Sequence, residues 1–213
     1  TGSLGVTGSV SFSTEIATVG AAVWSSGGPL STARCALAGA GTQTAGLVFG
    51  GEYPVTTCTE EYNGNTWGSG GPLSSARFEL AGAGTQTAGL AIGGINSSYT
   101  CITITEEYDG TNWSTGGTLA QGRYTLAAAG TQNAALTFGG KGGGYTVVNC
   151  TEEYDGINWS TGGVLATPRR MLAGAGTQNA ALAFGGTPNF STMSTCTEEY
   201  NGISWGSGGT LST

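Results

Sequence analysis

One period organises this chain. Its five tryptophans, Trp24, Trp67, Trp113, Trp159 and Trp205, stand 43, 46, 46 and 46 residues apart. An arginine follows each of the first four by ten residues, giving Arg34, Arg77, Arg123 and Arg169. Between them the same words recur in register: Thr-Gln from 42, 85, 131 and 177, Gly-Gly from 50, 93, 139 and 185, and Thr-Glu-Glu-Tyr from 59, 105, 151 and 197. A repeat of this length is one supersecondary unit that buries its apolar face only against its neighbours. A fold made of unlike elements is thereby excluded.

Each unit breaks into segments too short for helices and separated by turn residues, so it predicts four strands. In the second unit these are Arg77 to Gly84, then Gly89 to Gly93, then Thr105 to Tyr108, and a last strand ending at Trp113. Asp109-Gly110 predicts a type I′ hairpin, which needs positive φ at both central residues. The other units place Asn63-Gly64, Asp155-Gly156 and Asn201-Gly202 there, and this free exchange of Asp with Asn argues for backbone geometry rather than proton transfer. The Ala-Gly-Ala-Gly texture of the first strand suits a crowded inner position where backbones approach closely.

Four-stranded units at this spacing are what a β-propeller requires. The expected fold is all-β: a single propeller domain over residues 1–213, with full blades at 34–67, 77–113, 123–159 and 169–205 and an incomplete blade at 1–24. Five blades result. Ring closure puts Trp205 beside the blade that holds Trp24. The repeat phase leaves the inner strand equivalent to 33–43 unsupplied, so the sequence reads as an excerpt of a longer protein in preference to a slot filled by a partner.

The double glycine, Glu106 and Tyr108 on strand three, the tryptophan on strand four and the arginine opening strand one resemble the kelch repeat. The wording Thr-Glu-Glu-Tyr-Asn/Asp-Gly-x-x-Trp also resembles repeat proteins of marine bacteriophages, which are virion or tail-associated. The resemblance implies a propeller and a virion or extracellular location. Kelch-fold oxidases hold copper with Tyr and His, and this chain has no His, so that activity does not carry over. No cofactor and no metal are expected.

Charge narrows the partners. With 6 basic and 13 acidic residues the net charge is −7, which gives no footprint for nucleic acid. No apolar stretch approaches the roughly 18–20 residues of a membrane span. The Glu pairs are candidate acid-base groups, but their repetition at a fixed offset from arginine predicts structural ion pairs: Arg34, Arg77, Arg123 and Arg169 with Glu60, Glu106, Glu152 and Glu198. Only one carboxylate of each pair can face the arginine, because neighbouring strand residues point to opposite sides. Cys58, Cys150 and Cys196 share one blade position, which separates them too far for disulfides.

The stretch between strands two and three diverges from blade to blade, and each copy holds one aromatic: Tyr53, Tyr99, Tyr145 or Phe190. Loops on a rigid scaffold commonly carry binding, so these four are the candidate ligand residues. The reading that follows is a non-enzymatic structural, decorating or adhesion protein that meets protein partners in a larger assembly through its propeller faces. The alternative is a lectin-like propeller that binds cell-surface glycans with the variable loops.

Overall fold

The computed structural model describes residues 25–189 and 191–212. Among them the chain forms four four-stranded antiparallel sheets in simple sequential order. Blade one comprises Ala38–Thr42, Ala45–Phe49, Thr59–Tyr62 and Trp67–Ser69. Blade two comprises Ala81–Thr85, Ala88–Ile92, Thr105–Tyr108 and Trp113–Thr115, and blade three Ala127–Thr131, Ala134–Phe138, Thr151–Tyr154 and Trp159–Thr161. Blade four comprises Ala173–Thr177, Ala180–Phe184, Thr197–Tyr200 and Trp205–Ser207. The inner strands pack against one another in turn from blade one to blade four. This is the propeller-like, all-β arrangement of repeated blades that the periodicity predicts. The incomplete blade at 1–24, the fifth of the expected ring, lies outside the described residues, as does its closure through Trp24.

Small inner-strand residues set the blade spacing. A Cβ at Gly82 would meet the Gly39 carbonyl at 2.5 Å and the tip of Phe49 at 2.9 Å, both in the preceding blade. The same position in blade four is Gly174, whose Cβ would meet Phe138 at 2.6 Å. In blade three it is Ala128, and there the facing residue is Ile92, which is shorter than Phe. Side-chain size is thus traded across the joint.

Three local expectations are corrected. The arginine does not open the inner strand: residue 79 takes φ 52° and breaks the chain between Arg77 and the strand that begins at Ala81. The outer strand begins at its tryptophan instead of ending there, because Tyr108 pairs with Trp113 and pairing continues to Thr115. The Asp-Gly turn is not type I′, since only Gly110 has positive φ. Asp109 instead accepts from the amides of Thr111 at 2.8 Å and Asn112 at 2.7 Å through Oδ1, and Asn63 does the same for Asn65 and Thr66. An amide oxygen serves as well as a carboxylate oxygen in such an Asx turn, so Asp and Asn interchange.

Apolar clusters lie between blades. One joins Leu47 and Phe49 of blade one to Ala91 and Tyr108 of blade two, with Trp113 packed against it. Phe49 meets Trp113 edge-on at 4.8 Å, and Phe138 meets Trp205 in the same way at the joint of blades three and four. No blade buries its apolar face alone, which is why the period had to be sustained.

Candidate functional site

The four arginines thread back into their own blades. Arg77 is fully buried; its Nη1 donates to the carbonyls of Gly93 at 3.2 Å and Ile104 at 2.8 Å, and its Nη2 to Glu106 Oε1 at 2.8 Å. The other oxygen of Glu106 accepts from the amide of Ser74 at 2.7 Å, which ties in the segment arriving from blade one. Arg34–Glu60, Arg123–Glu152 and Arg169–Glu198 form at 2.6, 2.8 and 2.6 Å. Burial pushes the Arg77 guanidinium down to about 10, against the pull of the Glu106 charge. Burial also pushes Glu60 up, but the Ser31 amide and Arg34 outweigh it and hold the carboxyl below its ordinary value. Each of these carboxylates is thus held on both oxygens, one by its arginine and the other by a backbone amide.

The second glutamate of each pair has a different partner, which the sequence reading missed. Glu61 accepts from the Tyr108 hydroxyl of blade two at 2.5 Å, Glu107 accepts from Tyr154 of blade three at 2.5 Å, and Glu153 accepts from Tyr200 of blade four. Burial together with this hydrogen bond pushes Tyr108, Tyr154 and Tyr200 up to about 12. Two more ties cross each joint. Trp113 Nε1 donates to Thr59 Oγ1 at 2.9 Å, and Gln86 Nε2 donates to the carbonyls of Gly46 at 3.0 Å and Tyr62 at 2.8 Å. Their signal was on the page, since Gln and Trp recur in perfect register, but register alone does not say which blade a side chain reaches.

The double glycine completes the joint. Gly93 and Gly94 have φ of 61° and 98°, the Gly94 amide donates to the Arg123 carbonyl at 2.9 Å, and a Cβ on Gly93 would meet that oxygen at 2.7 Å. After this kink the chain enters the variable stretch, and all variable stretches leave from equivalent positions. Beside each lies a short bridge from the residue after the arginine: Cys35 with Glu52, Phe78 with Ile95, Tyr124 with Lys141, and Arg170 with Thr187. The bridging pairs differ in chemistry from blade to blade, whereas the framework does not.

Concave features lie at this end among the described residues. Around the axis, Ala36, Glu79, Thr125 and Met171 all take φ of 52–53° and pass a hydrogen bond from blade to blade: Glu79 amide to Ala36 carbonyl, Thr125 to Glu79, Met171 to Thr125. With Leu37, Leu80, Leu126 and Leu172 they line a depression of about 240 Å³. Burial and the neighbouring Glu52 raise the Glu79 carboxyl, while Lys141 and Arg170 oppose them. A second feature is a groove of about 120 Å³ between blades two and three, lined by Ile95, Tyr99, Cys101, Tyr124 and the run Gly142 to Tyr145.

Of the four candidate ligand residues, Tyr53, Tyr99 and Tyr145 are 77%, 72% and 71% exposed and share a left-handed backbone, with φ of 67°, 57° and 66°. The structure brings Tyr99 and Tyr145 to the same groove and leaves Tyr53 outside it. Phe190 lies outside the described residues. Among the described residues no three of His, Cys, Asp and Glu gather to hold a metal ion, and no helix is long and apolar enough to cross a membrane. The five cysteines are free thiols. Comparison with protein-family models finds no match for the chain, and comparison with curated proteins finds none.

Proposed function

We propose that the protein is a non-enzymatic binding scaffold, a structural, decorating or adhesion component of a virion or extracellular assembly that meets its protein partners through the variable end of the propeller. The observation that carries this reading is the sorting of the molecule into two parts. At the joints between the described blades the repeated Glu, Tyr, Trp and Gln side chains are engaged by partners across the joint, and each repeated arginine by a glutamate of its own blade, while three tyrosines stand mostly exposed at one end. Exposed aromatic residues on a rigid support are suited to contact, because they bury much area with few rotatable bonds. The resemblance to kelch repeats and to repeat proteins of marine bacteriophages supplies the assembly context. Immunogold electron microscopy with an antibody against the chain is expected to label particles or surface structures; labelling confined to the cell interior refutes it. A panel of glycosidase, esterase and oxidase substrates is expected to give no turnover.

A second reading, binding of cell-surface glycans, is favoured by one specific observation: two of the loop tyrosines flank a single groove. A glycan array separates the two readings.

A further inference from the structure

The groove between blades two and three has walls that are fixed before anything binds. On one side, residues 96–100 close on themselves: the Asn96 amide donates to the Thr100 carbonyl at 3.2 Å, the Tyr99 amide to the Asn96 carbonyl at 2.9 Å, and Asn96 Oδ1 accepts from the Ser98 and Thr100 amides at 3.0 Å each. On the other, Gly143–Tyr145 form a 3₁₀ turn closed by the Gly142 amide donating to the Thr146 carbonyl at 2.8 Å. Both turns hold a tyrosine in the left-handed region, where bulky residues are rarely found. Walls ordered in advance lose little entropy on binding.

Size limits the occupant. Pockets for drug-sized ligands run to roughly 300–1,000 Å³, and this groove holds about 120 Å³, room for one ring. Composition limits it further. Two exposed phenols, Tyr99 and Tyr145, offer apolar ring faces together with hydroxyls beside the buried ring of Tyr124, the combination that suits a ligand with one apolar face and polar edges. The overall charge disfavours acids. Lys141 Nζ lies 4.4 Å from the centre of the Tyr145 ring and 5.4 Å from that of Tyr124, and this cation beside the groove also acts on the Glu79 carboxyl. The net charge of −7 repels anions at longer range.

We propose that this groove binds one neutral hexopyranose ring, the terminal sugar of a glycan, stacked between Tyr99 and Tyr145. The inference rests on the glycan reading above and narrows it to a single site, in place of one weak site per loop. Tyr53 takes no part.

The test is saturation-transfer difference NMR on the full chain with methyl glycosides of glucose, galactose and mannose, and with the methyl glycoside of sialic acid as the acidic control. Signal is expected from at least one neutral glycoside and not from the acidic one. Tyr99→Ala and Tyr145→Ala are each expected to weaken binding about tenfold or more, and Tyr99→Phe and Tyr145→Phe to retain most of it. Tyr53→Ala is expected to leave it unchanged. Far-ultraviolet circular dichroism checks that each variant keeps the wild-type fold. Loss of binding on Tyr53→Ala equal to that on Tyr99→Ala overturns the single groove while leaving the glycan reading in place. Absence of signal from every neutral glycoside overturns both. Either outcome leaves the immunogold result on assembly untouched.

Discussion

The joints between blades and the loop end use tyrosine in opposite ways. At a joint, Tyr108 is buried, extended in backbone and bonded to a glutamate of the neighbouring blade. At the loop end, Tyr99 is exposed and held in a left-handed turn of its own making. The first residue recurs because an interface fails without it; the second sits where its neighbours change from blade to blade. The contrast teaches that repetition in this chain marks the contacts that hold the blades together, and that departures from repetition mark the segments those contacts leave unconstrained.

That contrast can be broken most forcefully at the buried ion pair. Glu106→Ala strands a fully buried guanidinium and is expected to cost about 3–5 kcal/mol in urea unfolding. A cost below about 1 kcal/mol would mean that the framework is not held by its repeated charges. Next comes Tyr154→Phe, which removes a hydrogen bond to a carboxylate across the joint of blades two and three. It is expected to cost about 1.5–3 kcal/mol by the same measurement. A smaller effect is expected of alkaline pH. The joint tyrosines rise to about 12 in the folded protein, above the ordinary value near 10, so their contribution is whole below pH 10 and is lost as pH rises through 12. Unfolding followed together with tyrosinate absorbance should show stability falling across that window, and replacing Tyr108, Tyr154 and Tyr200 by Phe should flatten the fall. Smallest of all, Tyr53→Ser is expected to move stability by no more than about 0.5 kcal/mol. A larger loss would place that loop within the framework and erase the distinction.

The fold was legible because periodicity reports tertiary environment directly: a unit repeated with its turns intact can pack only against its own copies. What was not legible depended on the neighbour. Glu60 and Glu61 are chemically alike in sequence, and only the blade pleat sends one to Arg34 and the other across the joint to Tyr108. Arg77 read as part of a strand because no local residue announces the left-handed turn at Glu79; that turn is imposed by the hydrogen bond to Ala36 in the blade before. Asp109-Gly110 carried the right turn residues but the wrong turn, since a side-chain acceptor replaced a second positive φ. Tyr99 and Tyr145 were visible as loop aromatics, 46 residues apart. Their convergence on one groove needed the adjacency of two blades and the conformation of two turns.

Each blade carries its donors, Gln, Tyr and Trp, on one flank and the matching acceptors on the other. Every joint among the described residues is therefore the same joint, with a direction. A unit copied or deleted whole by recombination between its near-identical neighbours would bring with it both halves of the contact, so the number of units can change without any interface being invented. The loops ride on such units as passengers and are free to diverge after each copying, which makes the chain a means of generating new surfaces on an unchanging support.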